Sequence, residues 1–192
     1  MPISLKHTTQ AVGTDAGNGE IRKAQWNEEH TLTLATARLL GRTTSGTGAA
    51  EEISADASLT LSAGSLGLSS NQKTGAIGYT INGGGAVITT GIAGNGLVVP
   101  YNCTITGVTM QANTTGSIVV DIWKDTYANF PPSVADSICG SAKPTITSSN
   151  KSQNTTLTGW TTNVSAGDIL YFNVDSVTSI SNVVLTLTVT KT

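Results

Sequence analysis

The chain has 192 residues and a formal net charge of -2, and only 11% of its residues are Asp, Glu, Lys or Arg, less than half the roughly 25% usual in globular proteins. So little positive charge offers no electrostatic basis for binding nucleic acid or an acidic membrane, and no stretch approaches the ~18 consecutive apolar residues of a membrane span. Gly, Ser, Thr and Asn stand where charged residues usually do. They form turns and strand surfaces and are poor in helix interiors, so the composition predicts an all-β protein. The start, MPISLKHTTQ, lacks the apolar core of a secretory signal, and the expectation is a protein made in a cytosol.

In chain order, the first 18 residues read as extended or irregular. Asn18 is placed to cap a short helix over Glu20 to about His30, with Glu20 in its first turn. Ile21, Ala24 and Trp26 give this helix some apolar surface. Isolated helices under about 12 residues are marginal in water, so it must dock, and Ile21 and Trp26 are the candidate docking residues. Residues 1-30 are therefore read as an attachment segment.

Residues 31-72 are threaded with small and polar residues. Thr31 to Leu34 and Leu59 to Leu61 alternate like short strands, and a loose pattern recurs in Leu39-Leu40-Gly41, Leu59-Thr60-Leu61 and Leu66-Gly67-Leu68. Such weakly apolar segments cannot bury themselves within one chain. They predict a stalk in which several copies wrap together; the alternative is a flexible Gly/Ser linker.

The packed domain is expected from Lys73 to the C-terminus. Eight of the nine aromatic residues lie at or beyond Tyr79, and aromatics carry much of a core's buried area. Val183, Leu185, Leu187 and Val189 alternate with Val184, Thr186, Thr188 and Thr190, the strongest strand signal in the chain. Leu170, Phe172 and Val174 repeat it, as do Ile118, Val120 and Ile122. Further strands are expected near 76-81, 86-90, 96-101, 103-111, 144-148 and 154-160. Turn signals at Asn82-Gly83-Gly84-Gly85, Gly94-Asn95-Gly96, Thr115-Gly116 and Ala166-Gly167-Asp168 separate them. Eight or nine short strands in about 120 residues predict an antiparallel β-sandwich, jelly-roll-like. Its last strand, 181-190, has an apolar face with no Pro or charge to blunt it, and is expected to be central. Lys124 to Lys143 gives no clean strand, and Pro131-Pro132 stops pairing there. A connection this long is functional or a packed surface loop.

The residues 19-30, Gly-Glu-Ile-Arg-Lys-Ala-Gln-Trp-Asn-Glu-Glu-His, followed by 39-53, Leu-Leu-Gly-Arg-Thr-Thr-Ser-Gly-Thr-Gly-Ala-Ala-Glu-Glu-Ile, resemble the N-terminal region of tail-fibre and minor virion proteins of tailed bacteriophages. The segment Asp121 to Pro132 with Asp136-Ser137-Ile138, then Leu157 to Trp160 and Ala166-Gly167-Asp168, resembles a β-domain found at the ends of phage structural proteins. The resemblance implies a homotrimer attached to other virion proteins of capsid or tail, assembled in the bacterial host cytoplasm and located in the virion. Tail fibre, head fibre and decoration protein share such domains.

The chemistry of an enzyme is not expected. The two histidines, His7 and His30, lie outside the expected domain, so a nucleophile-histidine pair would have to bridge two parts of the chain. Glu29-His30 lacks the second histidine of a zinc helix. The glycines around Asn18 and Thr47 lack the strand and the GK[ST] of a phosphate loop. No metal or cofactor is implied. Cys103 and Cys139 are too few for a disulfide framework and read as buried thiols. Asp121, Asp125 and Asp136 are the only carboxylates that invite comparison with a glycosidase pair; the alternative is that they pair with Lys124 or Lys143 or cap turns. Trp123, Tyr127 and Trp160 form the candidate binding set, since exposed rings suit stacking on a sugar of a host-surface glycan. The alternative is that they pack beneath the Pro131-Pro132 loop or at a subunit interface. Three functions follow: a virion fibre, spike or decoration subunit; a free carbohydrate-binding module; or a small glycan-active enzyme.

Overall fold

The structure, a computed structural model, describes residues 33-192. The expected helix, both histidines and the docking residues Ile21 and Trp26 lie outside the described residues. The chain divides into two compact units with a boundary at Ser69/Ser70, three residues from the boundary the aromatics predict.

The described part of the first unit consists of two β-hairpins. Strand β1 (Arg38–Gly41) pairs with β2 (Glu51–Ser54). The intervening loop is organised by Arg42, which donates to the carbonyls of Gly46 and Ala49 and pairs with Glu51 at 3.3 Å. Glu51 in turn accepts from the Thr43 backbone N–H and from both threonine hydroxyls. Strand β3 (Leu59–Ser62) pairs with β4 (Ser65–Leu68) through the two-residue turn Ala63-Gly64. Both turn residues have positive φ, 49° and 76°, the backbone that matches the twist of a tight hairpin. The predicted leucine pattern thus falls on strands: Leu39-Leu40 in β1, Leu59-Leu61 in β3, Leu66-Leu68 in β4. Thr33-Leu34 is not a strand.

The second unit opens with a single helical turn, α1 (Ser70–Lys73), and is otherwise all-β, as the sequence predicts. One large antiparallel sheet curls into a half-barrel, so its two halves face each other in the manner of a sandwich. Its axis is β8 (Cys103–Asp125), 23 residues long. The first half of β8 pairs with β12 (Asn182–Lys191) and the second half with β11 (Ile169–Thr178). On its other edge β8 carries β9 (Thr145–Asn154) and the short β10 (Asn163–Val164). Register shifts between Gln111 and Ile118 and between Val174 and Ser176 mark the bend, where bulges increase local twist. Strand β5 (Thr74–Asn82) flanks β12, and β6 (Gly91–Ile92) and β7 (Leu97–Val98) flank β11. The last strand therefore lies between β5 and β8, central as its unblunted apolar face predicts.

The core fills the inside of the curl. Val183, Leu185, Leu187 and Val189 are fully buried, as are Ile118, Val120, Ile122, Leu170 and Phe172. The open side is tied shut by Tyr79: its ring stacks on Phe172 with centroids 4.2 Å apart, and its hydroxyl donates to the Ala93 carbonyl. Ala93 N–H donates back to Phe172 O at 2.8 Å. Cys103 and Cys139 are both buried, free thiols.

Candidate functional site

The long connection after β8 is a packed surface loop built from short capped turns. Asp125 accepts from the Thr126 N–H and the Asn129 amide, which closes the single turn Tyr127–Asn129. Asp136 accepts from both the N–H and the hydroxyl of Ser133 and closes the turn Val134–Asp136. These contacts hold its carboxyl below the usual carboxylate range, the Ser133 backbone N–H chiefly. The loop then rejoins the sheet: Ile138 N–H donates to Ile122 O, and Trp123 bridges Ser137.

At the far end of the loop lies a partly buried charge cluster. Asp121 projects from β8 on the face opposite Ile122 and is buried. It accepts from the Ser137 hydroxyl at 2.6 Å and pairs with Lys143 at 2.9 Å. Lys143 also meets Asp175 at 2.7 Å. Burial by itself pushes the Asp121 carboxyl up, but the Ser137 hydroxyl, Lys143 and the nearby Trp123 indole together outweigh it, and the net direction is down. The indole N–H acts here without the geometry of a full hydrogen bond. Lys143 is raised, by Asp175 first and then Asp121. All three carboxylates compared with a glycosidase pair are thus occupied in structural bonds, Asp121 with a lysine and Asp125 and Asp136 as turn caps.

The predicted ring set does not form one exposed platform. Trp123 points away from the main core, as its place opposite Ile122 predicts, but is buried with Ile169 and Tyr171 in a second, smaller cluster. Trp160 packs against the main core, and its indole N–H donates to Ala142 O at 2.8 Å. Tyr127 alone is open, with 82% of its surface exposed.

A different group joins Tyr127. Phe130, 51% exposed, stands edge-on to Tyr171 with centroids 5.8 Å apart. Across from it runs the edge strand β7. Between them lies an open groove of about 490 Å³ lined by Asn95, Leu97, Val98, Tyr127, Phe130 and Ile169. Gly96 lets the edge come this close: its φ is +69°, and a Cβ there would strike the Tyr171 ring and the Leu170 carbonyl. Next to this strand end, Lys124 pairs with Asp168 at 3.1 Å, and Asp168 also accepts from the Ser165 N–H. Sequence reasoning missed Phe130 and Asn95, although both stood in segments it marked as loop and turn; the spacing of Tyr127 and Phe130 before Pro131-Pro132 was the available signal.

Comparison with protein-family models, curated proteins and solved structures gives no match.

Proposed function

We propose that the chain is a structural subunit of a tailed-phage particle, a fibre or spike whose second unit is presented to the host surface. The observation that carries the reading is the 59-68 hairpin. Its register sets Leu59 opposite Leu68 and Leu61 opposite Leu66, which places four leucines on one face. Leu59, Leu66 and Leu68 are 37%, 54% and 54% exposed. An isolated two-stranded hairpin is at best marginally stable in water, and burying each leucine is worth roughly 1.5–3 kcal/mol. Such a segment is made to pack on copies of itself, and a homotrimer is the assembly that the resemblance of residues 19-53 implies. The first 30 residues, with Ile21 and Trp26, attach the trimer to capsid or tail proteins. The protein is made in the host cytoplasm and resides in the virion.

One observation favours a second reading. An exposed aromatic groove equally suits a free carbohydrate-binding module. Immunogold labelling of purified phage particles with antibody against the second unit separates the two. Labelled particles support the virion reading, and unlabelled particles beside abundant free protein refute it. The position of the gold on head or tail distinguishes decoration protein from tail fibre.

A further inference from the structure

We propose that the groove between Asn95–Val98 and Tyr127–Phe130 is a binding site for a neutral saccharide, in which the Tyr127 and Phe130 rings stack on sugar faces and the Asn95 amide hydrogen-bonds hydroxyl groups. The proposal rests on the surface-binding reading above and names the ligand class and the residues.

The first ground is the cost of the arrangement. Two of the chain's nine aromatic rings stand in solvent on one groove, with Val98, 59% exposed, beside them. Apolar groups gathered this way mark an interaction site more often than scattered single ones do. The Phe130 ring and the backbone turn under Tyr127 are also held in place before any ligand arrives. Asp125 fixes the turn that carries Tyr127, and Phe130 rests on Tyr171, itself buried against Trp123 and Ile169. Binding then loses little conformational freedom, which is the advantage of a pre-organised site.

The lining selects the ligand. No lining side chain carries a charge at neutral pH, so the groove offers nothing to a phosphate, a carboxylate or an ammonium group. Its polar groups are the Asn95 amide and the Tyr127 hydroxyl, and these match neutral hydroxyls. Its volume falls within the roughly 300–1,000 Å³ of small-ligand sites. The groove is open, so a bound ring keeps its outer hydroxyls in water, which suits a sugar better than a wholly apolar molecule. An extended peptide is disfavoured because the β7 edge is only two residues long, too short a ladder for strand addition. Another hollow, near Tyr79 and Asn82, offers no free ring, since Tyr79 is stacked on Phe172.

The test is saturation-transfer NMR on the full-length protein. The probes are neutral trisaccharides of glucose, galactose, mannose and N-acetylglucosamine, with trigalacturonate and a proline-rich decapeptide as controls. At least one neutral trisaccharide is expected to bind through its ring C–H protons, and the charged and peptide controls are not. Tyr127→Ala is expected to weaken binding by about tenfold, the factor given by about 1.4 kcal/mol of lost contact. Tyr127→Phe keeps the ring and is expected to stay within about threefold of wild type, while Asn95→Ala is expected to weaken binding with an unchanged near-UV spectrum. The exposure of Tyr127 makes misfolding of its variants a poor explanation for a loss, and the near-UV spectrum checks it. Binding of no neutral trisaccharide, binding unaffected by Tyr127→Ala, or preference for the charged or peptide probe overturns the proposal. Particle labelling reports separately on the virion reading: labelled particles with no saccharide binding overturn the groove alone, and saccharide binding without labelling overturns the virion reading alone.

Discussion

The Lys143 ammonium sits 2.9 Å from the carboxylate of Asp121, which is 1% exposed, and 2.7 Å from that of Asp175. The end of the long loop is thereby fastened to β8 and β11 at once. Removing one partner of a buried pair leaves an uncompensated charge, which costs about 3–5 kcal/mol. Lys143 itself is partly solvated, so Lys143→Met is expected near the lower end, about 3 kcal/mol, as a fall in urea midpoint at neutral pH. Asp175 is more exposed, and Asp175→Asn is expected to cost about 1 kcal/mol or less. Equal effects of the two substitutions would show that the buried carboxylate is not the centre of the cluster.

The same cluster sets an acid limit. Asp121 and Asp136 have folded-state values below their unfolded ones, Asp121 because its bonds outweigh burial and Asp136 because of Ser133. Their contribution to stability is fully present above the unfolded carboxylate value of about 3.9 and is lost as pH falls through the folded values. Lys143 is raised, by Asp175 and then Asp121. Its contribution is fully present below about pH 10 and is lost as pH rises through the folded value. With both histidines at positions 7 and 30, the second unit has none to titrate near neutrality. Cys103 and Cys139 are raised too, chiefly by burial, so their contribution is fully present only below the unfolded thiol value of about 8.5 and declines above it. Thermal melts followed by near-UV dichroism should show a plateau from about pH 5 to 8, a fall below about pH 4 and a decline above about pH 8.5. A fall beginning near pH 6 would contradict this assignment.

Much of this arrangement was legible in the sequence. Period-two alternation placed β11, β12 and the second half of β8, because each has an apolar face packed on one continuous core. The central position of β12 followed from the absence of any charge on that face. Thr115-Gly116 has the chemistry of a turn and is not one. The glycine lies within β8, where a Cβ would meet Thr178 O and Ile180, so it serves close approach at the bend, and local turn chemistry cannot tell the two uses apart. Segment 86-90 forms no strand and only Asn154 of 154-160 does, yet Ile88 and Leu157 are buried in the main core, which explains their apolar residues without pairing. At the site, Tyr127 was legible as a loop aromatic. For Trp123 and Trp160 the sequence left exposure and packing both open, and their burial depends on where the loop folds back, a contact between residues distant in sequence. The exchange of Trp123 and Trp160 for Phe130 and Asn95 has the same origin.

Gly96 is where groove and fold share a constraint. A Cβ there meets the Tyr171 ring and Leu170 O, and φ is +69°. Gly96→Ala is expected to destabilise by more than about 1 kcal/mol, the usual scale where an alanine replaces a glycine of positive φ. It should also displace Tyr171, visible as a changed near-UV signal. An unchanged melting temperature would mean that the edge strand is free to move away.

Cys139 offers a probe of the loop's packing. It is fully buried, and burial pushes its thiol up to about 12. At pH 8 the thiolate is then about one part in ten thousand. Ellman's reagent is expected to leave Cys139 unreacted in the folded protein and to label it on unfolding in urea. Lys143→Met should accelerate the labelling in native buffer by loosening the loop. Rapid reaction in the wild type would show that the 124-143 loop is not held down as described.

The assembly prediction turns on the leucine face of β3 and β4. Leu59, Leu61, Leu66 and Leu68 share one face by register, while Thr60, Ser62, Ser65 and Gly67 occupy the other. The second unit has its own core and needs nothing from this hairpin. Replacing Leu66 and Leu68 by serine removes exposed apolar surface from this face and leaves the tight Ala63-Gly64 turn intact. The double variant is expected to shift the mass measured by light scattering at micromolar concentration from trimer to monomer. The thermal transition of the second unit should remain where it is, because none of its core residues has changed. A wild-type protein that is already monomeric would remove the basis for the stalk. A variant that stays trimeric would place the interface elsewhere. If instead the variant loses the near-UV signal of the second unit, the two units depend on each other in a way that their separate cores do not require.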